Sequence, residues 1–593
     1  MGAVYGFVGN VDQSYLAQMR GRLQHRGSVV REWSPARGAH FGELRVAESP
    51  EHNHPELPLA AHLTVYNPAD VARRLGSNGA SPVGDAYTLV YELMRRHGPQ
   101  VLEHLNGDFA LALWDDERQQ LTLARDPLGV CPLYYYYRSD LVAFASEYKA
   151  LLVLPDVEIE PDLGALQQLQ DSKYLSPEGT LFQSIHQAPA GEYLTIRNNS
   201  VSAQRFWDVE IQPQEVSREQ AEEDLRDHFF RAIERRLDGM DPVAVELSGG
   251  IDSAAIVAVA HRLRPDARLK TFTIGSGPDD AEVQAARIVA EEFKTDHHEI
   301  FLDLECLLED LPTLVWHLED PVGRTESYLQ YYMSRHTSQH VNLVLGGYAS
   351  DSLYAGMPKH KLLKMAQLAP IGRGAIEEFY HYTQTSREPR SLLGRSAKRL
   401  YFGKQELPPP TIVGAPAQSE DSALPRLRRG LIDHMLRASV LFGVPTWMPK
   451  MEKSHLAHGV EFRSPFTDPQ LARHSFQIPE RYKMHYLKEK YVLRRAILPL
   501  LPPKIANRPK FPQRISYDLE LSRIIDRLAE QYIDSRALRN RGLFREDEIE
   551  ALRRRPSGQS YTGNRAMRLW TVIVTELWAQ IFIDNRGARP VRS

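Results

Sequence analysis

The chain has 593 residues, too many for one ordinary domain, and 42% hydrophobic with 25% charged residues is the balance of a protein with substantial cores. A formal net charge of −4 supplies no global field for nucleic acid or an anionic membrane surface, so neither is expected as a partner. Two cysteines, Cys131 and Cys306, exclude a disulfide framework and a thiolate metal cluster and point to a reducing compartment.

The opening residues MGAVYGFVGNVDQ lack a basic stretch followed by a long apolar run, so no signal peptide is expected. The late run TVIVTELWAQIFI carries Glu576 and falls short of the roughly 20 apolar residues that span a bilayer. A soluble cytoplasmic protein is the expectation.

Residues 1–208 read as an α+β unit. AVYGFVG, HLTVYN, DFALALWD, QQLTLARD and DLVAFASE are short apolar or alternating runs between turn residues, and DAYTLVYELMRRHG has helical spacing. The boundary is placed near Phe206-Trp207. In residues 209–593, long helical patterns surround the apolar runs VAVEL, LKTFTIG and VNLVLGG, the alternation of a parallel sheet flanked by helices. Residues 405–426, rich in Pro, Ser and Ala, read as a mobile surface loop.

The most informative stretch runs from Val243 to Ser253, VAVELSGGIDS: a short strand, a glycine turn at Ser248-Gly249-Gly250, and a helical pattern from Ile251 onward. Backbone N–H groups at such a turn, with the positive end of a helix dipole behind them, form a concavity for a phosphate chain. Ser248 and Ser253 add hydroxyl donors, and Asp252 suits Mg2+. No Gly-Lys-Ser/Thr ending is present, so γ-phosphoryl transfer is not the expected chemistry.

The string resembles the SGGxDS loop of the N-type ATP pyrophosphatases, which split ATP between its α and β phosphates. With LQHRG at Leu23–Gly27, LNGDFALALWD at Leu105–Asp115, ARDPLGVCPLYY at Ala124–Tyr135 and FASEYKALL at Phe144–Leu152, the chain resembles the asparagine synthetase B family along nearly its full length. The resemblance implies an N-terminal class II glutaminase-like domain of Ntn type, an αββα sandwich, and a C-terminal ATP pyrophosphatase domain with a parallel sheet. Such glutaminases use a cysteine directly after the initiator Met; here that residue is Gly2. The family's Asn-Gly-Glu-Ile-Tyr-Asn oxyanion segment is His62-Leu63-Thr64-Val65-Tyr66-Asn67. Nucleophile and oxyanion site are both missing, so this domain is expected not to hydrolyse glutamine.

A synthetase without its own ammonia takes its nitrogen from free ammonia, a second molecule or the substrate itself. The last is the habit of β-lactam synthetases and lasso-peptide cyclases, which resemble this family. VLGGYASDSLYAGM, Val344–Met357, places Tyr348 where asparagine synthetases carry Glu and β-lactam synthetases carry Tyr. MEKSHLAHGVEFRSPFTD, Met451–Asp468, places Glu452 where the resemblance implies a carboxylate partner for that tyrosine. The expectation is a Tyr348–Glu452 relay that deprotonates the attacking amine. Asp351 with Asp252 is expected to bracket Mg2+ on the ATP phosphates. Lys490 is assigned to pyrophosphate and Lys510 to charge on the transition state. Leu247, Thr273, Ile274 and Gly347 are placed around ATP at the carboxyl ends of the strands. Glu282 matches a family acidic position, and His297-His298 is read as structural.

The resulting expectation is a cyclase that uses ATP and Mg2+ to adenylate a small amino-acid-derived carboxylate or a short peptide, then closes an amide with an internal amine. A β-lactam is the first reading and a lasso-peptide cyclase the second. An ammonia-dependent asparagine synthetase and a nucleotide-binding pseudoenzyme stand further back, and a homodimer is left open.

Overall fold

The computed structural model describes residues 2–45, 56–74, 86–368 apart from 139, 173, 174, 176, 177, 198, 199 and 323–325, then 391, 392, 395, 411–414, 430–506, 508, and 519–590 apart from 534, 535, 555–559 and 562.

The N-terminal strands bury alternate residues on opposite faces, and this period of two builds a sandwich. Along Gly2–Gly9, Ala3, Tyr5 and Phe7 join one core while Val4 joins another. Along Gly107–Asp115, Phe109 and Leu111 oppose Ala110, Ala112 and Trp114 in the same way. One antiparallel sheet orders Val29–Ala36, Ala39–Arg45, Gly2–Gly9, Leu141–Ala145, Tyr134–Arg138 and His186–Gln187. The second orders Ser200–Arg205, Glu192–Arg197, Gln120–Arg125, Gly107–Asp115 and Leu59–Val65. Trp33, Phe41 and Phe144 of the first meet Trp114, Leu123 and Leu194 of the second in the core between them. The helices Ser14–Leu23 and Ala86–His97 pack on the outer faces, giving the expected αββα layering.

The second unit is built on five parallel strands in the order Asp296–Phe301, Lys270–Gly275, Ala244–Glu246, Leu343–Leu345 and Glu461–Arg463. From the middle strand Ala244–Glu246 the chain first builds outward on one side and then returns to build on the other. The crevice beyond that strand's carboxyl end is therefore the switch point where such sheets bind ligands. The helix Ile251–Leu263 leaves this point. Its residues Ile251 and Ser253 to Ala260 are buried around the whole circumference, as expected of an apolar helix enclosed between sheet and neighbouring helices.

The two units meet across a buried layer of charge. Arg26 donates to Glu147 at 2.8 Å, the Lys149 amide donates to Glu319 at 2.6 Å, and Lys149 Nζ donates to the Trp316 carbonyl at 3.1 Å. Lys453 pairs with Glu319 at 2.6 Å. These side chains are at most 2% exposed, so each charge depends on its partner rather than on water.

Two expectations need correction. Residues 411–414, within the predicted mobile loop, are anchored: Ile412 is 1% exposed, its amide donates to Gln167 at 2.7 Å, and the Val413 amide donates to the Leu543 carbonyl at 2.9 Å. The apolar side chain at Ile412 supplies the burial that composition averages concealed; the rest of 405–426 lies outside the described residues. The helical segment Arg565–Asp584 is long and apolar enough to cross a membrane, but 83% of its apolar window is buried in the fold. It is a core helix: Trp570 and Trp578 are completely buried, donating to the Val322 carbonyl at 2.6 Å and to the Tyr148 hydroxyl at 2.8 Å.

Candidate active site

The strand Ala244–Glu246 ends at the switch point, and the chain turns there through Gly249 at φ +64°. A Cβ on Gly249 would lie 2.6 Å from Ala285 Cβ and 2.8 Å from the Glu282 carbonyl, so conformation and space both demand glycine. Ser253 Oγ accepts from the Ser248 amide at 3.1 Å and lies 3.2 Å from Ser248 Oγ, tying the two ends of the turn together. Gly250 is the N-cap of the helix Ile251–Leu263, whose first turn presents its N–H groups to the crevice. Behind the loop, Thr273 Oγ1 donates to the Leu247 carbonyl at 2.5 Å and the Leu247 amide donates to Phe272 at 2.7 Å. Ile274 is buried in the neighbouring strand. Leu247, Thr273 and Ile274 thus form one wall, with the Thr273 hydroxyl spent on the strand.

The loop is held from outside by a residue with no assigned role in the sequence reading. Arg508 donates to the Gly249 carbonyl at 3.0 Å and the Ala281 carbonyl at 2.8 Å, and pairs with Glu282 at 3.1 Å. The acidic position at Glu282 is therefore an anchor for this arginine. His297 and His298 lie on the strand Asp296–Phe301, where His297 Nδ1 meets Thr271 Oγ1 at 2.9 Å and His298 stacks on Phe272 with centroids 5.0 Å apart.

Opposite the loop, a second turn brings Gly347 against it. A Cβ on Gly347 would stand 3.1 Å from Asp252 Cβ and 3.3 Å from the Ser253 amide nitrogen. This approach lets Ser350 donate to Asp252 Oδ1 at 2.8 Å and sets Asp351 beside Asp252. Lys490 bridges the two carboxylates, bonding Asp252 Oδ2 and lying 2.6 Å from Asp351 Oδ1. Although burial opposes its charge, the two aspartates raise the Lys490 pKa, and the amine stays an ammonium. One cation already sits between Asp252 and Asp351, so the pair fits Mg2+, which takes one or two carboxylates and fills its shell with phosphate oxygens and water. Bound there with ATP, the metal would neutralise phosphate charge.

The expected Tyr348–Glu452 relay is not the arrangement found. Glu452 is 6% exposed on the helix Val444–Leu456, and both its carboxylate oxygens are taken by Arg26 of the N-terminal unit, one of them at 3.1 Å. Burial pushes the Glu452 pKa up while Arg26 pulls it down. Motif alignment fixed where Glu452 falls on its helix; domain packing decided which cation it meets.

The carboxylate whose charge reaches Tyr348 is Glu246, from the middle strand. Burial, with Glu246 adding to it, drives the Tyr348 pKa well above its ordinary value, so the phenol is neutral. Its hydroxyl makes no hydrogen bond to a described residue, while its carbonyl accepts from Ser464 Oγ at 2.7 Å. Glu246 is held by His455 Nε2 at 2.6 Å, and His455 Nδ1 faces the Met451 carbonyl at 2.7 Å. A ring whose two nitrogens face a carboxylate and a carbonyl satisfies both only as imidazolium. Burial opposes that charge, but Glu246 and the carbonyl outweigh it and raise the His455 pKa. Phe462 packs between the parts, 5.4 Å from the Tyr348 ring and 4.8 Å from His455. A glutamate inside an otherwise apolar strand, VAVEL, was the signal available in the sequence. Lys510 lies outside the described residues.

In the N-terminal unit, Gly2 sits in a paired strand, where a Cβ would lie 2.0 Å from the Leu44 carbonyl oxygen. His62 and Leu63 run on through the regular strand Leu59–Val65, opposite Ala110 and Phe109.

Comparison with known proteins agrees with this two-unit layout. Residues 224–580 match the family described as asparagine synthase, and residues 1–207 match the glutamine amidotransferase domain. Asparagine synthetase [glutamine-hydrolyzing] 1 of Bacillus subtilis (strain 168) is 25% identical over 559 residues, covering 88% of this chain and 85% of that protein. A putative asparagine synthetase [glutamine-hydrolyzing] of Mycobacterium bovis is 27% identical, covering 82% and 78%. Amidase chry2 of Gibberella zeae is 26% identical, covering 71% of each chain.

Proposed function

The chain belongs to the asparagine synthase family of ATP-dependent C–N ligases, and on that premise we propose that it closes an amide within a single substrate molecule. The product proposed first is a β-lactam made in antibiotic or phytotoxin biosynthesis. A substrate carboxylate oxygen attacks the α-phosphorus of ATP held at Ser248–Ser253, and pyrophosphate leaves. An amine of the same molecule then attacks the acyl-adenylate: the C–N bond forms, the bond from carbonyl carbon to AMP oxygen breaks, and AMP leaves. Tyr348 takes the amine proton as it gives up its own, and Glu246, whose charge acts on Tyr348 and is held by His455, is the proposed acceptor once substrate binding brings the two within hydrogen-bond reach. Glu452, locked to Arg26, has no part in this transfer. Lys490 is assigned to pyrophosphate and Lys510 to the charge of the transition state. Tethering amine to carboxylate removes much of the entropic cost of bringing them together.

Position 2 carries the reading. Gly2 has no nucleophilic atom, and the Leu44 carbonyl fills the space of a side chain, which supports an N-terminal domain that makes no ammonia. An isopeptide-forming lasso-peptide cyclase is the second reading. It is favoured by the long segment between about residues 358 and 440, and by the loss of Glu452 as a mark of β-lactam chemistry.

The test incubates pure protein with Mg·ATP and panels of β-amino acids, amino dicarboxylates and short peptides, reading pyrophosphate release and loss of water from the substrate by mass spectrometry. Pyrophosphate with a dehydrated, cyclic product is expected. Ammonia-dependent amidation of aspartate would overturn cyclisation, and nucleotide binding without turnover of any panel member would favour a pseudoenzyme.

A further inference from the structure

Lys490 is built into its position by three independent features. Its backbone is left-handed, at φ 53° and ψ 34°, a conformation that side chains other than glycine rarely adopt. Its amide donates to the Tyr354 carbonyl at 3.1 Å, fixing the direction in which the side chain leaves. Gly356 makes the room: a Cβ there would stand 2.1 Å from Lys490 Cε and 2.0 Å from Asp351 Oδ1. The side chain is 2% exposed and ends between Asp252 and Asp351, the two carboxylates suited to the metal.

That ending is at odds with a role confined to pyrophosphate. The ammonium occupies the place between the carboxylates and uses the oxygens that a divalent cation needs. A cation entering beside it meets a like charge at close range, carried by an ammonium that is itself buried. We propose that Lys490 is the resident cation of this site, excluding free divalent metal until ATP arrives. The ATP phosphates then offer the ammonium stronger acceptors, and its departure releases Asp252 and Asp351 for the metal that the nucleotide carries. The protein thereby binds metal and ATP together, and the two aspartates are never left facing each other uncompensated. This rests on the adenylation reading above.

The test uses Mn2+ as the probe, followed without ATP by the loss of the free-ion electron paramagnetic resonance signal, and with ATP by the Mn2+ retained with the protein in equilibrium dialysis against the same Mn2+ and ATP. Wild-type protein is expected to bind no stoichiometric Mn2+ without nucleotide and to bind it once ATP is added. Lys490→Met is expected to bind one Mn2+ without ATP at least tenfold more tightly than wild type, with a metal-dependent rise in Tm that wild type lacks. Adding Asp351→Asn should abolish that gain. Nucleotide-free wild type binding one Mn2+ per chain would overturn the proposal even if Lys490→Met failed to fold. Failure of wild type to bind Mn2+ in the presence of ATP would overturn the adenylation reading, a distinct result.

Discussion

Gly2 and Gly249 occupy corresponding places in the two halves of the molecule, each where the chemistry of its domain is expected. At Gly249 the backbone stands at φ +64° and a side chain would strike Ala285, so glycine shapes a loop whose N–H groups stay available. At Gly2 the strand is regular, and the Leu44 carbonyl fills the space a side chain would need. One glycine shapes an open turn; the other lies in a closely paired strand, beside an arginine that reaches the second domain. Arg26 shows the difference well: it binds the Gly2 carbonyl at 2.9 Å, Glu147 at 2.8 Å and Glu452 across the seam.

The contrast is sharpest if the seam is broken. Arg26→Met leaves Glu147 and Glu452 buried with less compensation, and removing one partner from a buried network costs about 3–5 kcal/mol. A large fall in Tm is expected, with ATP binding retained by whatever remains folded. A pattern with Tm unchanged and ATP binding lost would place Arg26 in the nucleotide site instead.

Acid probes the same seam more gently. Burial, opposed by Glu147, lowers the His25 pKa to about 4, and burial holds His317 well below its usual value. A histidine whose folded pKa is depressed contributes stability that is full above its unfolded value near 6.5 and lost as pH falls toward the folded value. Between pH 7 and pH 5 His25 alone should cost about 2 kcal/mol. Denaturant midpoints measured across that range should fall, and His25→Gln should flatten the fall.

The smallest expected effect is on glutamine. Gly2→Cys should release no glutamate from it, because the new Cβ has nowhere to go and the oxyanion segment is an ordinary strand. Glutaminase activity in that variant would erase the distinction between the halves.

Much of this was legible in residue patterns because it depends on local periodicity. Alternating runs gave the sandwich strands, and VAVELSGGIDS gave strand, turn and helix with the correct polarity. Asp252, Asp351 and Gly347 converge because each lies within a few residues of a parallel-strand end, whereas Lys490 lies well beyond the last such strand and is brought to them by packing. Glu452 failed as Tyr348's partner for a different reason: its nearest cation comes from residue 26, and no spacing within a motif reports a contact across more than 400 positions. Ile412 failed because burial of one side chain is invisible in a stretch read by composition.

The sequence by itself determined the family, the glycine turn between strand and helix, and the glycine at residue 2, because each resides in residue identity at a fixed place along the chain. Only the tertiary structure decided that Glu452 belongs to the seam, that Glu246 with His455 is the charge acting on Tyr348, and that Lys490 stands between the aspartates. Those are choices among partners of opposite charge, and a charge buried from water takes the partner that packing brings within reach.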